Sequence, residues 1–174
     1  TATAESLCHL NPILDTSDIL FVSVQSRFIR ITEELTAHVR KHYSDMFILW
    51  GGPHCFFAPE LSLEHADGVC YGEGDTAIID FLQRYERKEA YWETGSMAFE
   101  VDGTTVINQP LPQLTDLDSL PMGDFFGEDH YCLERAELVP LDETRVLGYL
   151  SKFLAPMPSY ITMASRGCPE KCSY

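Results

Sequence analysis

Three features of the 174-residue sequence predict an α/β fold in which a parallel sheet lies between two layers of helix. Short apolar runs recur at residues 18–23, 46–50 and 67–71. A stretch of helical period follows the first and third, and a short helix is expected after the second. Glycines stand at the ends of the second and third runs. Apolar runs of about five residues, continuous rather than alternating, read as strands buried on both faces. Strand, helix, strand, helix, strand, helix is the rhythm of a right-handed parallel sheet.

The first run, Asp-Ile-Leu-Phe-Val-Ser, ends at Ser23. Phe28, Ile31, Leu35 and Val39 follow at spacings of three and four, as on one face of a helix. Glu33 and Glu34 lie toward its start and Arg40 and Lys41 toward its end, as the helix dipole favours. His38 and His42 sit four apart there, and with no third ligand in view they read as a solvated helix end rather than a metal site. The second strand runs into Gly51-Gly52-Pro53-His54, and a short helix is expected from Pro59. The third runs into Gly72-Glu73-Gly74-Asp75. Asp75 is then expected to cap a helix with Ile78, Ile79, Leu82 and Tyr85 on one face.

Two more runs, 97–101 and 104–108, flank Asp102-Gly103, a strong hairpin signal that predicts an antiparallel edge or a small appendage. Beyond Leu111 the periodicity fades. Residues 116–145 carry nine acidic side chains against Arg135 and Arg145, which reads as a solvated connector. The expected organisation is therefore a Rossmann-like (flavodoxin-like) three-layer domain over residues 1–109, ending in a β-hairpin. An extended acidic linker follows over 110–159, and the start of a further domain over 160–174.

Composition sets the bounds. Hydrophobic residues make up 45% of the chain, which fits a globular protein. With 27 acidic and 12 basic side chains the net charge is −15. Such a surface repels phosphate backbones and anionic lipid, so neither nucleic acid nor a membrane is expected as a partner. No apolar run approaches the length that spans a bilayer. Six cysteines lie scattered without a compact framework, which favours a reducing, cytoplasmic setting over secretion. Cys8, Cys55, Cys70 and Cys132 read as small apolar or half-buried thiols.

Two stretches carry chemistry. Paired glycines at a strand's carboxyl end let a flat ligand approach the backbone, and in a parallel sheet ligands bind at that end. The simpler reading of the same glycines is turn punctuation. At the chain's end, Ser-Arg-Gly-Cys-Pro-Glu-Lys-Cys-Ser-Tyr brings Cys168 and Cys172 into one loop, where two thiolates can hold iron or zinc.

That last stretch, following the apolar residues 160–164, resembles the opening of a radical S-adenosylmethionine domain, whose pattern is Cys-x-x-x-Cys-x-x-Cys. In that family three thiolates bind a [4Fe-4S] cluster, and the fourth iron chelates S-adenosylmethionine. The resemblance implies Cys168 and Cys172 as two of the three ligands. The third would fall at position 175, one beyond Tyr174, so the sequence reads as a fragment expected to be catalytically silent by itself.

A second resemblance covers residues 18–88. A strand ending in Ser23, a strand followed by Gly-Gly-Pro-His and a strand followed by Gly-Glu-Gly-Asp are similar, in that order, to the cobalamin-binding domain fused in front of radical S-adenosylmethionine domains. The resemblance implies that Ser23, Gly51, Gly52, Gly72 and Glu73 line a groove for the corrin's nucleotide tail and lower face. The Asp-x-His-x-x-Gly motif of related cobalamin proteins is absent. His54 is expected near the ligand rather than as a cobalt ligand. Only seventeen residues precede Asp18, too few for the first strand and helix of that fold, so the sheet is expected to expose an edge that could pair with another chain.

Together the resemblances imply a cobalamin-dependent radical enzyme. S-adenosylmethionine is cleaved to a deoxyadenosyl radical, hydrogen is taken from an unactivated carbon of a small-molecule substrate, and that carbon is methylated or oxidised. The alternative is a non-catalytic α/β module that binds a ligand or partner and never holds cobalamin. A weaker one is a structural zinc protein using Cys168 and Cys172.

Overall fold

Every second side chain of strand β2 (Phe47–Gly51) points to the opposite layer, and both layers are apolar. Phe47 and Leu49 enter one cluster, with Cys70, Ala77, Phe81, Met97 and Phe99. Ile48 and Trp50 enter the other, with Val24, Val39, Cys55 and Val69. A strand buried on both faces needs a helical layer on each, and this requirement sets the architecture.

The computed structural model describes residues 7–124, 127, 129–134, 137–153 and 166. They fall into two compact units, Thr1–Pro121 and Met122–Tyr174. In the first unit a short helix α1 (Asn11–Leu14) leads into β1 (Ile19–Ser23), α2 (Ile29–His42) and β2. Two single-turn helices, α3 (Pro53–Phe57) and α4 (Pro59–Ser62), precede β3 (Gly68–Cys70) and the longer α5 (Gly74–Glu86). The unit's sheet closes with β4 (Met97–Val101) and β5 (Thr104–Ile107).

The sheet order is β1-β2-β3-β4-β5. β1, β2 and β3 are parallel, and β4 and β5 return antiparallel. The sheet is thus mixed rather than wholly parallel, and the hairpin is its edge rather than an appendage. Its turn uses Asp102 and Gly103, both at positive φ (51° and 74°), the geometry the Asp-Gly pair predicts. β1 forms the other edge. It is apolar on both faces and has no strand on its outer side among the described residues.

Helices α2 and α3 contribute to the Trp50 layer, α5 to the Phe81 layer. The faces they bury match the expected ones in part: Leu35 and Val39 on α2, and Ile78 and Tyr85 on α5, pack against the core as expected. On α2 the buried residues are Thr32, Thr36, His38 and Val39, whereas Phe28 and Ile31 are exposed. The reason is Trp50: its indole N–H, wholly buried, donates to Thr36 Oγ1 at 3.1 Å, so a polar residue must face the core there. His38 likewise is buried and bonded to Asn11 Oδ1 at 3.3 Å rather than solvated. Burial, then the neighbouring His42 and Lys41, hold its pKa below the ordinary histidine value. On α5 the core residues are Ala77 and Phe81, while Ile79 and Leu82 are exposed. Glu73, not Asp75, occupies the N-cap position of that helix.

The second unit carries regular structure within the stretch 110–159 that the sequence reads as an extended linker. A hairpin, β6 (Tyr131–Glu134) against β7 (Glu137–Pro140), is followed by α6 (Glu143–Phe153). The Tyr149 hydroxyl bonds Glu134 and Cys132, tying the helix to the hairpin. These bonds stabilise the protonated phenol and raise its pKa. Among the described residues no helix is long and apolar enough to cross a membrane.

Candidate functional site

Parallel strands β1 and β2 end together, Ser23 opposite Gly51, and the chain then departs in two loops. The loops are stitched by backbone: Val24 N–H donates to Gly51 O at 2.7 Å, and His54 N–H donates to Val24 O at 3.1 Å. Between them Gly52 takes φ 91° and ψ −176°, a conformation essentially confined to glycine. A Cβ there would lie 3.0 Å from both Ser23 Oγ and Val24 N, and 3.1 Å from Val24 O. Gly52's lack of a side chain thus has a packing cause in the close approach of the β1 loop, and Ser23 and Gly52 are both exposed at the sheet's carboxyl edge.

Gly51 lines the same edge with less constraint. A Cβ on it would meet Cys70 O and Cβ at 3.6 and 3.7 Å, ordinary contact distances. Gly72 is different. A Cβ on it would come within 2.6 Å of Ser96 Oγ, so its lack of a side chain already has a packing cause. Ser96 accepts the Tyr71 and Gly72 N–H groups on its carbonyl and the Leu111 N–H on its hydroxyl. Glu73, half-buried, starts α5 beside this turn. The structure therefore brings Ser23, Gly51 and Gly52 directly together, with Gly72 and Glu73 at the end of the next strand, β3.

Two thiols lie under this edge. Cys55 Sγ donates to Gly51 O at 3.5 Å, and Cys70 Sγ to Gly72 O at 3.7 Å. Both are buried, and burial pushes both thiols above the ordinary range, so at neutral pH they are protonated packing groups and not metal ligands. The folded state holds these protons more tightly than the unfolded chain. Stability is therefore full below the ordinary thiol pKa of about 8.5 and falls as pH rises toward the raised folded values. Urea unfolding at pH 7 to 10 is expected to show that alkaline loss, with a shallower slope in Cys55→Ala/Cys70→Ala. Equal slopes in the two proteins would contradict it.

Sequence spacing predicts ligand proximity for His54 but does not flag Ser26. The two are joined, Ser26 Oγ to His54 Nδ1, at 3.0 Å. A residue offset seen only after the strand register is known would have found the pair. Cys168 and Cys172 lie outside the described residues. Among those described, no group of three or more His, Cys, Asp or Glu could hold a metal.

A cavity of about 650 Å³ opens at the opposite, amino edge of the parallel strands, lined by Glu33, Arg40, His65, Asp67 and Tyr91 among others. Within it Arg40 pairs with Asp67 at 2.6 Å and His65 with Glu33 at 3.5 Å, and Glu64, Glu100 and Asp102 add further acidic side chains to its lining. Asp67 also accepts the Ile48 N–H at 2.7 Å. The Arg40–Asp67 pair and the Asp67–Ile48 bond tie β2 to α2 and to the start of β3.

Comparison with known proteins agrees in fold. No family model matches the chain. A curated relative, described as an uncharacterized methyltransferase from Pyrococcus horikoshii, is 23% identical over 142 residues, covering 79% of this chain and 27% of its own length. Among solved structures, the cobalamin-dependent S-adenosylmethionine radical enzyme OxsB, with aqua-cobalamin and S-adenosylmethionine bound, superposes with a TM-score of 0.57 at 19% identity, covering 83% of this chain and 18% of OxsB. The radical S-adenosylmethionine methyltransferase TsrM of Kitasatospora setae, with cobalamin and a [4Fe-4S] cluster bound, gives a TM-score of 0.53 at 12% identity, covering 80% of this chain and 24% of TsrM. The chain thus shares the α/β fold of part of these enzymes and spans about a quarter or less of each relative.

Proposed function

We propose that the chain is the cobalamin-binding region of a radical S-adenosylmethionine enzyme, and that the whole protein methylates or oxidises an unactivated carbon of a small molecule. The observation that carries this reading is the exposed glycine Gly52 at positive φ beside the Ser23 hydroxyl, at the carboxyl edge of a sheet whose fold is shared with structures that hold cobalamin. In such an enzyme bound cobalamin supplies a methyl donor or redox partner, while a cluster with S-adenosylmethionine supplies the radical. This chain's share is placement. Ser23 would bond the nucleotide tail, Gly51 and Gly52 would let it lie against the backbone, and Gly72 and Glu73 would border it from β3. Cys168 and Cys172 would be two of the three cluster ligands, and cluster chemistry is in this reading a property of the whole enzyme.

The test is an absorbance titration of the chain with hydroxocobalamin, followed by gel filtration. Near-stoichiometric binding, with the corrin retained on the protein, is the expected result. A corrin that elutes wholly apart from the protein would overturn the reading in favour of a non-catalytic α/β module.

A further inference from the structure

We infer that His54 is a positioning residue for the crevice, and that its hydrogen bond to Ser26 sets how far the loops after β1 and β2 may part. The inference rests on the cobalamin reading above and adds two residues to it. The β1–β2 ladder pairs residues at a constant offset of 28, from Ile19 with Phe47 to Ser23 with Gly51. Ser26 and His54 are also 28 apart, and their side chains meet at 3.0 Å. The strand register is thus carried three residues past the ladder by side chains, where the backbones have already separated into a 3₁₀ turn (Ser26–Phe28) and α3.

Position and burial argue for a role beyond the core. Ser26 is exposed and His54 half-buried, so the bond does not satisfy a polar group trapped in the interior. Two backbone bonds, Val24 N–H to Gly51 O and His54 N–H to Val24 O, already join the loops without help from either side chain. What the Ser26–His54 bond adds is closure of the outer end. It holds the loop bearing Ser23 and Val24 against the loop bearing Gly52, where the two already meet closely. A ligand entering this edge meets loops already at their bound separation and loses less freedom on binding. The ring's Nδ1 does this work; Nε2 has no protein partner among the described residues.

The test is hydroxocobalamin affinity in Ser26→Ala, His54→Ala, the double variant, His54→Asn and His54→Gln. Loss of one such bond is expected to weaken binding roughly five- to tenfold. Each alanine variant should show that loss, and the double variant should be no weaker than either, because both remove the same bond. Asparagine sets its amide nitrogen near the place of Nδ1 and should bind close to the parent protein, whereas glutamine, which mimics Nε2, should not. Full affinity in Ser26→Ala, or losses that multiply in the double variant, would overturn the clamp. So would retention by glutamine with loss by asparagine, which would assign Nε2 a direct ligand contact. Amide hydrogen exchange reads the same clamp without ligand. Ser26→Ala should speed exchange at Val24 and His54 with global stability unchanged, and unchanged exchange there would overturn it even in a protein that binds no cobalamin. Absence of binding by the parent protein would instead count against the cobalamin reading alone.

Discussion

Replacing Gly52 with alanine is expected to destabilise the fold by about 1–3 kcal/mol and to weaken hydroxocobalamin binding at least tenfold. At φ 91° and ψ −176° an L-residue is strained whatever surrounds it. Here the new methyl would also lie 3.0 Å from Val24 N and 3.1 Å from Val24 O, backbone atoms held by bonds to Gly51 and His54. Relief requires the two loops to move apart, which breaks those bonds and displaces Ser23 from Gly52. Gly51→Ala is the control, because its methyl would meet only Cys70 at ordinary contact distance. Its stability should change by less than about 0.5 kcal/mol, the usual range away from strained or tightly packed positions. Urea unfolding of both variants checks the first effect and cobalamin titration the second. A Gly52→Ala protein as stable as its parent would contradict the assigned backbone geometry.

The largest stability loss is expected from Phe81→Ala, about 3–5 kcal/mol. The Phe81 ring is wholly buried, with ring centroids of Phe47, Tyr85, Tyr91, Phe99 and Phe21 between 5.3 and 6.4 Å away. Those neighbours come from β1, β2, β4, α5 and a 3₁₀ turn, so no single element can collapse into the space left behind. A loss of that size is a large share of the total stability of a typical domain, about 5–15 kcal/mol. Ile79→Ala on the same helix should cost less than about 1 kcal/mol, since the side chain is 55% exposed. Equal losses at 79 and 81 would show that α5 is rotated from the orientation described, toward the one its apolar spacing predicts.

That contrast shows which parts of the fold the sequence makes legible. Strands β1, β2 and β3 are readable because continuous apolar runs are rare outside sheets covered on both faces, and the Asp102-Gly103 turn because few residue pairs tolerate two positive φ values. Helix faces are less readable. Thr36 is buried to receive the Trp50 indole proton, and Ala77 because α5 packs tightly on the sheet. Counting apolar residues at helical spacing favours Ile31 and Ile79 instead, and both are exposed. The β6–β7 hairpin escapes detection for a related reason: its strands are only four residues each and carry acidic residues inside a charged stretch.

The site divides in the same way. Gly51 and Gly52 are visible as paired glycines at a strand's end. The cause for Gly52 is a backbone angle, and for Gly72 a contact with Ser96, 24 residues along the chain, that no local pattern reveals. Ser26 has no signature at all. It becomes meaningful only when the offset of 28 in the β1–β2 ladder is applied to the loops beyond.

The most direct measurement is an amide chemical-shift map of the isotope-labelled chain titrated with hydroxocobalamin. The shifts are expected to concentrate at Ser23–Ser26, Gly51–His54 and the Gly72–Gly74 turn, with little change at the opposite edge around Arg40, Asp67 and Asp102. Shifts centred on that opposite edge, or none at any residue, would contradict the proposal that cobalamin binds at the glycine edge.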